Sequence, residues 1–319
     1  MKNLLVASCL LASAPIPTIE ANAVLSERLE SAQTSSVEGV DGWRFLPAEI
    51  RHLLAGDPSK DPKQPFEAIT DFNEQLKRLG IRLIVVPVPA KATIHPEFVD
   101  SRLKGQAATS APENAFYENL RAQGVEVIDL TPDFAAAKTK GPVYCARDTH
   151  WNGRAILLTA QKLAGMLKDV APKSLALEAK EQPVEIQGDL GGDKEKITLR
   201  FVQPQGQTGR VEPSRTSPIL VLGDSHVLIF HDGSDMHTTG AGLPDQLAFE
   251  LGAPVDVLGV RGSGATPARV SLARRARANP SYLDDKKVVV WCFGARELTQ
   301  ADAWKIIPLL KNQEEPVQK

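Results

Sequence analysis

Apolar residues recur at Phe66, Ile69, Phe72, Leu76 and Leu79, the spacing of one helix face, and predict a helix over 66–79. Gly80 stops it. Ile81 to Val88 then forms an almost unbroken apolar run closed by Pro87 and Pro89, which reads as a strand buried on both faces. The pattern repeats downstream. A helix is expected over 115–122, stopped by Gly124, then a short strand over 125–128 and a helix capped by Thr149 or Asn152 and running to about Lys168. Beyond residue 211, strands are expected at 219–222, 255–258 and 287–293, with helices at 243–251 and 267–278 between them. Between Pro183 and Val211 glycine and charged residues dominate around one strand, 197–202, which marks 183–211 as a small β insertion. Regular alternation of strand and helix predicts an α/β fold: a three-layer α/β/α sandwich with a mainly parallel central sheet. The ordered domain is expected to begin near Gly42-Trp43-Arg44-Phe45-Leu46.

The N-terminus carries a different pattern. Met1-Lys2-Asn3 is followed by an apolar run from Leu4 to Ala14 and by Ala21-Asn22-Ala23, the signature of a signal peptide over 1–23. The run is shorter than the roughly 20 residues a membrane-spanning helix needs. The domain over 24–319 is therefore expected in the periplasm or secreted. Val6-Ala7-Ser8-Cys9 resembles a lipobox, so a lipoprotein is an alternative, and an uncleaved N-terminal anchor another. Cys145 and Cys292 remain beyond the leader; outside the cytoplasm such a pair can form a disulfide, but spacing does not say whether they meet.

Charge narrows the partners. With 37 Lys+Arg against 39 Asp+Glu and 5% aromatic residues, the chain has neither the basic excess nor the stacking surfaces of a nucleic-acid binder.

Candidate chemistry falls at strand ends, where open α/β sheets bind ligands. Strand 219–222 runs into Gly223-Asp224-Ser225-His226, which places Ser225 as a nucleophile next to a helix N-terminus, although Gly-Asp-Ser is also ordinary turn chemistry. A serine needs a base, and the base needs a carboxylate to hold its tautomer. Asp148 and His150, two apart in Arg147-Asp148-Thr149-His150-Trp151, can supply both; a metal pair or a helix cap are the alternatives. His231 and His237 flank Asp232 and Asp235 in what reads as a solvated loop. Gly262 and Gly264 follow strand 255–258 and offer backbone N–H groups, or a plain turn. Arg296, after strand 287–293, either supports an oxyanion or pairs with an acid such as Glu297.

In order and spacing these residues resemble the SGNH hydrolase-like O-acetyltransferases of exopolysaccharide biosynthesis, of the alginate O-acetyltransferase (AlgX/AlgJ) type. Asp148-Thr149-His150-Trp151 is similar to that family's Asp-x-His-Trp signature, and Gly223-Asp224-Ser225-His226 to its nucleophile block, with His226 where Phe or Tyr is more usual. Gly42-Trp43-Arg44-Phe45-Leu46, the loop Pro87-Val88-Pro89-Ala90-Lys91 and Gly188-Asp189-Leu190 also resemble family segments. The resemblance implies a Ser225–His150–Asp148 triad, with Asp and His preceding Ser as in a circularly permuted SGNH order. Gly294-Ala295-Arg296-Glu297 lacks the Asn that ordinary SGNH hydrolases contribute to the oxyanion hole. That leaves the Ser225 amide, Gly262, Gly264 and Arg296 as oxyanion candidates.

The implied activity is transfer of acetyl groups, through an acetyl-serine, to hydroxyls of an alginate-like polysaccharide, without cofactor or metal. A membrane O-acyltransferase partner would deliver the acetyl groups. Lys91, Arg147, Arg261 and Arg296 are candidates to line a groove for an anionic glycan, and Trp151 to stack on a sugar. A secreted carbohydrate acetyl esterase and a non-catalytic glycan-binding scaffold of the same fold are the alternatives.

Overall fold

A computed structural model describes residues 18–32, 35–61, 64–171 and 173–309. The apolar run of the expected signal peptide lies outside the described residues. Its expected cleavage point, after Ala23, falls within a helix, Thr18–Glu30, whose Ala21, Val24 and Leu25 are buried. Ordered structure thus begins well before Gly42, because this helix contributes apolar side chains to the main core.

Nine strands form three sheets among the described residues. The short strands β1 (Val37–Glu38) and β2 (Arg44–Phe45) pair antiparallel. The central sheet is built from β3 (Arg82–Val88) and β4 (Glu126–Val127), then β7 (Ile219–Gly223), β8 (Asp256–Gly259) and β9 (Val288–Gly294). Its order is β4-β3-β9-β7-β8, and every pairing is parallel. Between β4 and β7 lies an antiparallel hairpin of β5 (Leu177–Ile186) and β6 (Glu195–Pro204).

The period-two geometry of the strands splits the core into two layers. Val288, Val290 and Cys292 of β9 face one side with Ile84, Val86, Ile219 and Val221, packed under the helices Gly153–Leu167 and Leu243–Leu251. Val289, Trp291 and Phe293 face the other with Leu83, Val85, Leu220 and Leu222, packed under Pro65–Arg78, Ala111–Ala122 and Thr266–Ala278. Burial on both faces explains why these strands read as continuous apolar runs.

The chain builds outward from β3 to β4 on one side and from β7 to β8 on the other, with β9 filling the gap. The carboxyl ends of β3, β9 and β7 therefore meet where the strand order reverses, the place where such sheets bind ligands.

The expected elements recur within a few residues of their predicted ends. The helix after the Asp-x-His-Trp segment is capped by Asn152, whose side chain accepts from the N–H groups of Arg154 and Ala155. The strand β5 was not expected: its Glu178, Lys180, Glu181 and Gln182 are exposed and give no apolar alternation to read. No helix among the described residues is long and apolar enough to cross a membrane.

Candidate active site

The turn that presents Ser225 starts with a close approach. A Cβ on Gly223 would lie 1.7 Å from the Cys292 carbonyl oxygen, so only glycine lets the end of β7 close against β9. Asp224 follows as the N-cap of a one-turn helix, Ser225–Leu228. Its buried carboxylate accepts from the His226 N–H at 2.8 Å, the His226 ring Nδ1 at 3.0 Å and the Gly294 N–H at 2.8 Å. Burial pushes this carboxyl up, but the charge and hydrogen bond of His226, with Arg296 and the Gly294 N–H, outweigh it and hold it ionised. The turn is thereby stitched to β9, and Ser225 is presented at its start.

The candidate base, His150, arrives from another part of the chain. His150 Nε2 lies 2.7 Å from Ser225 Oγ, and His150 Nδ1 lies 2.7 Å from Asp148 Oδ1. The His150 N–H also donates to Asp148 Oδ1, at 3.0 Å. All three side chains are almost wholly buried, with Ser225 at 7% exposure. With Asp148 accepting at Nδ1–H, Nε2 is left as the acceptor for the Ser225 hydroxyl proton. Burial alone would push the His150 imidazole below the ordinary histidine value; the hydrogen bond and charge of Asp148 outweigh it and raise it. Asp148 is shifted the other way: burial opposes its charge, but hydrogen bonds from His150 and His237 hold it well below the usual carboxylate range.

The loop 144–151 owes its shape to groups outside it. The Lys91 ammonium is completely buried and donates to the carbonyls of Arg44 (2.6 Å), Ala146 (2.9 Å) and Asp148 (3.0 Å). Its pKa is lowered to about 8 by burial. The Glu195 carboxylate, from β6, accepts the N–H groups of Ala146 (2.8 Å) and Arg147 (2.9 Å). The Gly188–Leu190 turn packs against the same loop: the Leu190 N–H donates to Arg147 O, the Asp189 carboxylate accepts from the Thr149 N–H at 2.7 Å, and the Asp189 N–H reaches Asp148 Oδ2 at 3.2 Å. Asp148, His150 and Asp189 bring one donor atom each within 4.8 Å of one another, and the hydrogen bonds just described turn those atoms onto neighbours within the site.

The structure revises several expectations. Trp151 is fully buried, edge-on to His226 and tilted against Phe134, so it has no free face for a sugar. Lys91 is inside the protein and is not available to a groove. Arg147 donates to the carbonyls of Asp193 and Lys194 in the β5–β6 turn, and Arg261 clamps Asp232 and Asp235 at 2.8 Å.

Arg296 is buried beside Gly294 and His226, its Nη1 without a hydrogen-bond partner. Gly264 lies beneath the nucleophile turn: a Cβ there would sit 2.9 Å from Asp224 N, and its carbonyl accepts from the Trp291 indole at 2.8 Å. Gly262 has φ +97° and open space where a Cβ would stand. His231 is not solvated but buried, 2.9 Å from Asp245, and His237 reaches the Asp148 carboxylate at 2.9 Å. Cys145 and Cys292 are both buried free thiols. A cleft of about 600 Å³, lined by Trp43, Tyr144, Arg154, Lys196 and Arg200 among others, is separate: none of Ser225, His150 and Asp148 lines it.

The family profile described as SGNH hydrolase-like domain, acetyltransferase AlgX, matches residues 37–294, which takes in Ser225, His150, Asp148 and the groups that hold them, though not Arg296. The chain belongs to this family. Among curated relatives, the probable alginate O-acetylase AlgJ of Pseudomonas aeruginosa is 28% identical over 137 residues, covering 42% of this chain and 33% of the relative. The matched stretch is therefore a third of that protein's length. Two solved structures share the fold. The O-acetyltransferase domain of Pseudomonas putida AlgJ superposes with a TM-score of 0.62 at 20% identity, covering 83% of this chain and 92% of that one. Pseudomonas aeruginosa AlgX gives 0.61 at 18% identity, covering 89% and 72%. The SGNH-like α/β/α architecture is thus that of this acetyltransferase family.

Sequence reasoning missed three contributors to the site. Glu195 lies in a charged stretch where one more glutamate carries no signal. His237 was visible only as one histidine in a polar loop. Lys91 was noticed, but its motif gave no hint that its ammonium faces inward.

Proposed function

We propose that this protein transfers acetyl groups to hydroxyls of an acidic, alginate-like exopolysaccharide outside the cytoplasm, with Ser225, His150 and Asp148 as its catalytic triad. One observation carries the reading: Ser225 Oγ, His150 and Asp148 form a continuous hydrogen-bonded chain with both links at 2.7 Å. Membership of the acetyltransferase family and the names of the relatives point to the acyl group and the acceptor class.

The steps follow from the geometry. Ser225 Oγ attacks the acetyl carbonyl carbon of the donor while its proton passes to His150 Nε2. Asp148 holds the ring and stabilises the imidazolium. The Ser225 N–H, at the start of its one-turn helix, is the oxyanion donor on this reading, with Arg296 as buried positive charge behind His226. The tetrahedral intermediate collapses, the donor's leaving group takes the proton from His150, and acetyl-Ser225 remains. A glycan hydroxyl then gives its proton to His150 and attacks the ester carbonyl; collapse returns the proton to Ser225 Oγ and releases the acetylated sugar. A membrane O-acyltransferase would present the donor, and residues 1–23 would serve for export.

The test is turnover of a chromogenic acetyl ester by the purified protein, with and without acidic polysaccharide, next to Ser225→Ala. Transfer to the polysaccharide that disappears in Ser225→Ala is the expected result. Ester hydrolysis with no acetylated polysaccharide would make the protein an esterase. Turnover unchanged in Ser225→Ala would overturn the triad.

A further inference from the structure

Asp148 serves two imidazoles at once. Oδ1 accepts from His150, and Oδ2 faces His237 Nε2 at 2.9 Å. The only other described donor to Oδ2 is the Asp189 N–H, at 3.2 Å. The His237 side chain is 12% exposed, and its ring lies 5.7 Å from that of Phe230 at 31°, which limits how far it can swing.

The segment that delivers this ring has an irregular backbone. Phe230, Ser234 and His237 all have positive φ (58°, 53° and 69°), a region side-chain-bearing residues seldom occupy. Backbone held in such conformations persists only where surrounding contacts over-determine it, and it clusters at functional sites. Here the contacts are visible. The Phe230 N–H donates to the Met236 carbonyl, the Phe230 carbonyl accepts from the Ala241 N–H, the Gly233 N–H donates to the Thr238 carbonyl, and Arg261 reaches across from the loop after β8 to grip Asp232 and Asp235. The hydrogen bonds of the clamp fix the turn that carries His237.

From this we infer that His237 is a positioning residue of the triad, the donor that fixes the second oxygen of Asp148 so that the first stays aligned on His150. The inference deepens the proposed triad and rests on it. A carboxylate with one oxygen held only by a long backbone bond can rotate about its Cβ–Cγ bond; a second charge-assisted hydrogen bond opposes that rotation. The same bond draws electron density from Asp148, so its loss makes the carboxylate more basic toward the His150 imidazolium. The other charged groups around the carboxylate and the turn are Lys91, Asp189, Asp224, Asp232, Asp235 and Arg261.

The experiment compares wild type, His237→Phe and His237→Gln. Phe keeps the ring and its packing on Phe230 but removes the donor; the Gln amide nitrogen restores a donor near the Nε2 position. Two readouts are taken: the NMR titration of the His150 ring, assigned with His150→Gln, and kcat and KM for a small acetyl ester. In His237→Phe the His150 titration should move away from its wild-type midpoint and kcat should fall about tenfold with KM unchanged, while His237→Gln should stay near wild type in both.

A His237→Phe protein whose His150 titrates as in wild type overturns the inference. So does His237→Gln behaving like His237→Phe, because the donor would then be irrelevant. If His237→Phe does not fold, His237→Ala is read against His237→Gln in its place. Ser225→Ala run in parallel keeps the two ideas apart: if it retains full turnover, the triad reading fails, while the titration of His150 still decides whether His237 acts on Asp148.

Discussion

The Lys91 ammonium and the Asp148 main chain are hydrogen-bonded at 3.0 Å, inside the protein, between the loop that leaves β3 and the segment that carries the base. The same ammonium holds the carbonyls of Arg44 and Ala146. One side chain thus ties the β2 strand, the Asp-x-His-Trp segment and the central sheet to a common point. Lys91→Met should leave three carbonyls without that donor, the Asp148 one buried, and cost about 3 kcal/mol of stability. Lys91→Arg should not rescue it, since a planar guanidinium cannot reproduce a point donor to three converging oxygens. Chemical denaturation of both variants, with ester turnover as a second readout, checks this.

Asp148→Asn should preserve the fold and remove function. An amide can still meet His150, but it no longer enforces the tautomer that leaves Nε2 free to accept from Ser225. By analogy with the serine-protease triad, where the corresponding change costs about ten-thousand-fold, a loss of at least about a thousandfold in kcat is expected. Steady-state kinetics together with an unchanged circular dichroism spectrum would show it.

The pH behaviour of rate and stability should run in opposite directions. His150 must be neutral to take the Ser225 proton, and its pKa is raised, so kcat/KM should climb with pH through a midpoint above the ordinary histidine value of 6.5. A raised folded pKa means that the His150–Asp148 pair contributes stability in full below 6.5 and loses it as pH rises through the folded value. The Asp148 pKa is depressed, so its contribution is present above 3.8 and lost as pH falls below it. The pair therefore stabilises most between those two ordinary values, below the pH at which turnover is fastest. Thermal unfolding and kinetic profiles across pH 4–9, with His150→Gln as control, measure both.

Gly188→Ala should disable the site from a distance. A Cβ there would lie 2.0 Å from the Arg147 carbonyl oxygen, against backbone that Glu195 and Leu190 already hold. The turn must shift, and with it the Asp189 N–H that meets Asp148. Lower thermal stability and a fall in ester turnover are expected together.

Cys145 and Cys292 should resist thiol reagents in the native protein and react after denaturation. Both are buried, and burial pushes both thiols well above their ordinary pKa, so almost no thiolate is present near neutral pH. Peptide mass mapping after labelling under native and denaturing conditions distinguishes this from a disulfide, which would leave neither residue labelled in either state.

The inner strands β3, β9 and β7 could be read directly because each is buried on both faces and so carries a local signal: a short apolar run bounded by glycine or proline. The Asn152 cap was legible for a similar reason, since a cap is defined by residues next to the helix it starts. The nucleophile and the Asp/His pair were recognisable as residue types at strand ends and by family resemblance, but their contact was not. Ser225 and His150 stand 75 positions apart, and only the sheet order that inserts β9 between β3 and β7 brings their loops to one edge.

Burial of charge was the least legible. Lys91, Arg296 and His231 belong to residue types that are usually solvated, and nothing in their immediate neighbours marks them as internal. Lys91 is met by backbone carbonyls of distant segments and His231 by the Asp245 carboxylate. His237 is the sharpest case: a histidine in a polar loop by sequence, it touches Asp148 only because positive-φ backbone and the Arg261 clamp turn that loop inward. Local patterning determined the elements and the kinds of chemistry available. Which groups meet was decided by long-range packing, because hydrogen bonds and charges act over a few ångströms of space and take no account of distance along the chain.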